Sequence, residues 1–443
     1  MAEKDEHTRL FPGLARQLRD KTGEKTGEAA PAGGAPAGDQ PPRRGNVLPF
    51  RPLPDDPGPA PQTWADDGGR RRVSLRRVLA LVLLALAVLA ALGALVWGAA
   101  VDMDALRRSY TYRGVNRDSR GVTDSLPLPE DWIAAAPMGR RLALASGLGL
   151  QLLDEDGSEL ASCVATLASP VLRAEKKAAL AYDVGKATIC VIDSALRSQV
   201  IDAGAPVLAA DVSAGGGICY LTSAEEDKTV LTVRSSQMSE VFTWHSKSRY
   251  LTTAALSDNG QMVAAVGAGT NGGAYQSTLL LLRTDSETPV ADVDLGDQLV
   301  LWADWVGGSC CLVCHDQVLI YSSAGELLGS YAAGGKTITG VSAGGGFVLL
   351  SLSEGRTGDR DMLVTLDASG SVRAEVTLGC QASQISAAGD YAAVLTPQGL
   401  CLYDSGLHLY GQLEEPGVLT RCAARDDGSV LLISSQGCAL YLP

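Results

Sequence analysis

From Trp132 to the C-terminus the chain alternates short apolar runs with turn residues, and one unit keeps returning: a turn, then a strand-like apolar run. Gly139 precedes RRLALAS, Lys177 precedes AALAYD, Gly216 precedes GICYLT and Gly260 precedes QMVAAVG. Gly308 then precedes SCCLVC, Gly345 precedes GFVLLSL, Gly389 precedes DYAAVLT and Gly428 precedes SVLLISS. The intervals are 38, 39, 44, 48, 37, 44 and 39 residues, a blade length in propeller repeats. Each run is followed by another apolar strand ending in a second turn, as in LQLLDEDGSEL, VLIYSSAGELL, MLVTLDASGSV and LCLYDSGLHLY. Each repeat therefore reads strand, turn, strand, loop, strand, turn, strand, with no helical period after residue 101. This pattern predicts an all-β, eight-bladed β-propeller over 132–443. Seven blades would follow only if the unit at Lys176-Lys177, which lacks the turn glycine, were an insertion, and the 38- and 39-residue spacings beside it argue against that. The last unit, 419–443, holds three strands, so a strand from before Trp132 should complete it and remove an open sheet edge. The segment RSYTYR (108–113) is the candidate within a juxtamembrane linker of 102–131.

Residues 78–101 carry no charge over 24 positions, enough for one helix to cross roughly 30 Å of hydrocarbon at about 1.5 Å per residue. Arg70, Arg71, Arg72, Arg76 and Arg77 precede the run, whereas Asp102 and Asp104 come before Arg107 and Arg108 on the other side. The positive-inside rule then predicts a single-pass protein with a cytoplasmic N-terminus and an extracytoplasmic C-terminal domain. A cleaved signal peptide would be shorter and nearer Met1. Residues 1–77 are rich in Pro, Gly, Ala and charge, a composition that buries too little apolar surface to offset ordering, so a mostly disordered tail is expected. Within it Leu10, Leu14 and Leu18 have helical spacing, and the island 46–52 carries Pro49 and Pro52 at PxxP spacing.

The whole chain has a formal charge of −13, although its first 77 residues are net basic, so the propeller is strongly acidic. Such a surface repels phosphate backbones and argues against nucleic acid as a partner.

The apolar strands, the turn Tyr403-Asp404-Ser405-Gly406 and the blade spacing resemble WD40-like and quinoprotein-like propellers over most of 132–443. With its Arg-flanked apolar segment, the chain resembles an uncharacterised family of membrane-anchored propellers from anaerobic Gram-positive bacteria. The resemblance implies a fold and no particular activity.

Several short motifs look like chemistry and are better read as structure. Cys311-Leu-Val-Cys-His315 matches the c-type haem attachment pattern. On a strand, however, residues three apart point to opposite faces, so the two thiols could not hold one haem. Gly340-Val-Ser-Ala-Gly344 matches a hydrolase nucleophile elbow, which needs a helix after Ser342, and a strand follows instead. Asp154, Asp156 and Glu159 lack the ligand pattern of a calcium loop and suit a hairpin turn. Most of the ten cysteines fall inside apolar strands, as packing residues that a strictly anaerobic host would leave reduced. Four histidines leave little material for a His-based centre.

The connections between second and third strands lengthen in three units: SAEEDKT (223–229), GAGTNGGAYQS (267–277) and SEGRTGDRDM (353–362). Loop length is not needed to hold blades together, so these connections mark a recognition face. Its candidate residues are Glu225, Glu226, Asp227, Asn271, Tyr275, Arg356, Asp359 and Arg360. The sequence thus points to a binding or scaffolding module. Its expected contacts are the membrane, through 78–101, and an envelope protein or glycan. No catalytic residue, cofactor or metal ligand is assigned. The alternative is a carboxylate-dependent enzyme acting on cell-envelope glycan.

Overall fold

The computed structural model describes residues 75–96, 103–354, 360–414, 416–435 and 437–443. The tail features at Leu10 to Leu18 and at 46–52 lie outside them. From 121 onward the described chain forms eight four-stranded antiparallel sheets, one per repeat unit. Blade 1 shows the plan: Trp132–Met138, Arg141–Ser146, Gly149–Leu153 and Glu159–Val164 lie side by side in chain order. Blades 2 to 7 repeat it over 171–202, 207–246, 250–296, 300–332, 337–377 and 384–414. The first strands of neighbouring blades touch one another, as Val207–Val212 does with Tyr250–Leu256, so first strands form the inner wall of a ring.

The repeated apolar runs are the second strands. They are apolar on both faces because each sheet is covered by a neighbour on either side, and Ser309–Cys314 and Phe347–Ser353 are buried at every residue. Fourth strands such as Leu327–Ala332 alternate exposed and half-buried positions, as an outer rim should. The buried apolar side chains fall into eight clusters, each shared by two adjacent blades. One of them joins Leu142, Leu144 and Leu153 of blade 1 to Leu431, Ile433 and Cys438 of blade 8, which closes the ring.

Blade 8 contains Arg421–Ala424, Val430–Ile433 and Gly437–Tyr441, and its fourth strand does come from before Trp132. That strand is Leu126–Pro127, paired with Cys438 and Gly437, and not 108–113. Val122 bridges Tyr441, Thr123 N–H donates to Leu440 O at 2.9 Å, and Leu442 N–H donates to Gly121 O at 2.8 Å. Arg108 instead belongs to a helix, Met103–Thr111, with Tyr112 in the turn that follows. Asp104, Arg108 and Tyr112 are four residues apart and all point at the propeller, a helical period that the aromatic and β-branched content of YTY conceals.

A further helix, Leu75–Val96, overlaps the expected span of 78–101 as far as Val96, while 97–102 lie outside the described residues. Its described large side chains, among them Leu79, Leu83 and Leu89, are exposed. Among the described residues no helix is long and apolar enough to cross a membrane.

Candidate functional site

The turns between first and second strands converge at one end of the ring and line a cavity of about 600 Å³. Every blade contributes: Arg140, Glu175, Lys176, Ala214, Asp258, Asp304, Gly345, Gly389 and Asp426 all line it. Arg107 and Thr111 of the helix Met103–Thr111 line it as well. That helix is fastened across blades 7 and 8. Arg108, itself buried, donates to Asp427 O and to the Tyr410 hydroxyl, and its guanidinium lies 5.1 Å from the Tyr410 ring centroid. Tyr391 donates its hydroxyl hydrogen bond to Asp104 at 3.0 Å, Tyr112 donates to Asp427 at 3.0 Å, and Arg140 stacks on the Tyr112 ring at 5.5 Å.

The charges around the cavity are unevenly paired. Lys176 reaches Asp426 at 2.5 Å and Arg140 reaches Glu155 at 2.7 Å. Burial and the neighbouring carboxylates of Asp211 and Asp258 push Glu175 up to about 7, against the pull of Lys176. Glu175 is exposed by surface area but lies in the wall of the cavity with protein atoms crowded around it, and that crowding disfavours its charge more than its exposure alone suggests. Burial also lifts Asp211 to about 6, opposed by the Leu256 N–H and by Arg173. Asp304 is raised well above the carboxylate range by burial and then by Asp211. Asp427 behaves oppositely. Burial works to raise it, but hydrogen bonds from Ser429 and Tyr112 and the charge of Arg425 outweigh that and hold it low.

Sequence reading misses the acids of the cavity, although a signal exists: Glu175, Asp258 and Asp426 follow the first strands of their blades, and Asp304 lies near a first-strand end. The carboxylate that recurs two residues before the turn position lines the channel in blades 2, 4 and 8. Among the described residues no group of three or more His, Cys, Asp or Glu is placed to hold a metal ion.

Of the eight residues proposed from the sequence, the six that are described belong to second-to-third-strand connections of blades 3, 4 and 6. In an antiparallel sheet these emerge at the end opposite the cavity. Glu225 and Glu226 are exposed beside Asp227, whose carboxylate lies 2.6 Å from His245 Nδ1. The stretch 267–277 is not an irregular loop. Met262–Asn271 and Ala274–Arg283 pair residue by residue up to Asn271 opposite Ala274, turning through Gly272 and Gly273 at φ +60° and +87°. Tyr275 is 41% exposed near this tip, and its hydroxyl accepts from Ser277 at 3.0 Å. Arg360 is exposed, while Arg356 and Asp359 lie outside the described residues.

The motif readings have structural outcomes. Cys310, Leu312 and Cys314 pack toward blade 4, and Cys311 and Val313 toward blade 6, so Cys311 and Cys314 face opposite ways. All ten cysteines are free. Ser342 lies in the first strand Thr337–Ala343, and its Oγ accepts the Ala387 N–H of blade 7 at 2.9 Å. Ser386 does the same for Ala424 of blade 8 at 3.0 Å, and Asp211 for Leu256 of blade 4 at 3.0 Å. These side chains fasten one inner strand to the next. Asp156 accepts from the Ser158 N–H at 2.9 Å in a turn with Gly157 at φ +81°.

The molecule is an eight-bladed β-propeller with a short helix fastened beside one end of its channel. By sequence it belongs to DUF5711, a family of unknown function, whose match covers residues 135–412. No curated protein matches the chain in sequence. Among solved structures it is similar to the computationally designed Ika8 protein (TM-score 0.52, 11% identity, 72% of this chain and 98% of that one). It is also similar to the C-terminal WD40 domain of Sif2 (TM-score 0.52, 11% identity, 74% and 100%). A weaker likeness is to BamB from Moraxella catarrhalis (TM-score 0.47, 14% identity, 72% and 98%). At these identities the likeness shows the fold alone.

Proposed function

We propose that the chain is an extracytoplasmic binding or scaffolding module, held at the membrane by the apolar segment 78–101, that grips an envelope protein or glycan with the face opposite its channel cavity. The observation that carries the binding reading is the hairpin of blade 4. Pairing with the first strand stops at Ala268, and pairing with the fourth starts at Ser277, so 269–276 pair only with each other and stand outside the four-stranded sheet. A two-stranded ribbon is marginal in water by itself and offers unpaired backbone and Tyr275 to a partner. Anchoring is supported by the uncharged run with five arginines before it, and the resemblance to anchored propellers of anaerobic Gram-positive bacteria leads the same way. The test replaces 269–276 by Gly-Gly and compares crosslinked complexes from membranes. Loss of a specific partner with an unchanged unfolding midpoint supports the reading; an unchanged set of complexes overturns it.

A second reading, a carboxylate-dependent enzyme on envelope glycan, draws on the cavity. Glu175, held near 7 by burial and Asp211, has the protonation range of a general acid at neutral pH, with Asp258 and Asp304 around it. Turnover of a cell-wall glycan, bell-shaped in pH and lost in Glu175→Gln, would establish this reading, and absence of turnover across pH 5 to 9 (roughly the range in which such groups titrate) would remove it.

A further inference from the structure

The helix Met103–Thr111 has two sides with different tasks. Asp104, Arg108 and Tyr112 face the propeller, whereas Met103, Leu106 and Tyr110 are 70%, 55% and 82% exposed. At about 100° per residue these three fall within one narrow arc, a continuous apolar stripe on the side away from the blades. Exposed Arg107, Arg113 and Arg117 lie beside it or just beyond, and 103–120 hold five arginines against two aspartates in a chain whose total charge is −13. An apolar stripe that includes a tyrosine and is flanked by arginines is the pattern of a helix resting in a lipid headgroup layer.

Chain length says what covers the stripe. The uncharged run ends at Val101, so Met103 follows within about 7 Å of chain even when fully extended. We propose that this helix is interfacial: Met103, Leu106 and Tyr110 lie on an anionic phospholipid surface, Arg107, Arg113 and Arg117 meet its phosphates, and the cavity end of the propeller is thereby turned toward the membrane. The inference rests on the anchoring reading above. It follows that the hairpin of blade 4 and the Glu225 to Asp227 turn point away from the bilayer, because second-to-third-strand connections leave the opposite end of each sheet. It follows too that the cavity is reached from the narrow space between propeller and lipid.

The test uses the full-length protein in nanodiscs of phosphatidylcholine with or without phosphatidylglycerol, carrying a benzophenone side chain at Leu106, Tyr110 or Glu226. Lipid adducts should form at 106 and 110 and not at 226. Phosphatidylglycerol should raise their yield several-fold, and R113E/R117E should abolish that rise. A protein that stays in the nanodisc but gives no adduct at 106 and 110, gives protein-to-protein adducts there, or labels equally at 226 overturns the inference and leaves anchoring intact. A protein that stays in solution when nanodiscs are formed, or leaves vesicles on alkaline washing, overturns the anchoring reading itself and this inference with it.

Discussion

Substituting Gly121→Ala tests how the ring is closed. Gly121 sits at φ +82°, and an added Cβ would come within 2.5 Å of Leu442 O, a backbone atom that cannot swing aside. The left-handed conformation costs a residue with a Cβ about 1–2 kcal/mol. Relieving the clash breaks the 2.8 Å hydrogen bond from Leu442 N–H to Gly121 O, worth about 0.5–1.5 kcal/mol. The expected loss is therefore about 1.5–3.5 kcal/mol. Gly114 is the internal control, with φ +100° and nothing within 4 Å of its added Cβ, so Gly114→Ala should lose only the conformational part. Gly437→Ala approaches the same junction from the other strand, its Cβ meeting Leu126 O and Ser125 Oγ at 2.5 Å. Urea unfolding of the full-length protein in detergent, followed by the fluorescence of Trp132, Trp244, Trp302 and Trp305, gives the free energies. Because both variants damage one junction, the Gly121→Ala and Gly437→Ala losses should be less than additive. Equal losses for Gly121→Ala and Gly114→Ala, or full additivity with Gly437→Ala, would refute closure through 121–127.

Two further predictions concern groups that could be mistaken for, or serve as, chemistry. Ser342→Ala leaves the Ala387 N–H without its acceptor, so urea unfolding should show a loss of about 1–2 kcal/mol, while wild-type Ser342 should take no label from a fluorophosphonate probe. Glu175 has its pKa raised from 4.5 to about 7 in the folded state, which keeps a proton there that the unfolded chain releases earlier. Its contribution is therefore fully present below about 4.5 and lost as pH rises through about 7. Glu175→Gln, which cannot ionise, should match wild type at pH near 4 and unfold at higher urea than wild type at pH near 8 (roughly a unit outside the two ends of that window); the reverse order would contradict the assignment.

The blades were legible because their second strands are buried on both faces and thus read as unbroken apolar runs, and because the turn before most of them needs a left-handed residue. Gly216, Gly260, Gly308, Gly389 and Gly428 all have positive φ there. Where glycine is absent, Lys177 still precedes a fully buried strand, Ala178–Tyr182, so the period alone sufficed. The closing strand escaped because Leu126–Pro127 is two residues long and has no alternation to detect, while YTY has strand-like composition on a segment that packs as a helix and turn. In blade 4, glycines 267, 269, 272 and 273 suggested a loop, yet Gly272-Gly273 is a two-residue hairpin turn between paired strands. The cavity was hidden for a different reason. Its carboxylates are one or two blades apart in sequence, each unremarkable alone, and only closure of the ring brings Glu175, Asp258 and Asp304 around one space.

The proposed anchoring and outward display of the propeller can be tested by labelling intact cells with a membrane-impermeant amine reagent and mapping modified lysines by mass spectrometry. Lys186 and Lys247 are exposed on the propeller, and Lys4, Lys21 and Lys25 lie before the apolar run. Lys186 and Lys247 should be modified on intact cells, and Lys4, Lys21 and Lys25 only after the membrane is opened. Label on the three N-terminal lysines of intact cells, with Lys186 and Lys247 protected, would contradict it.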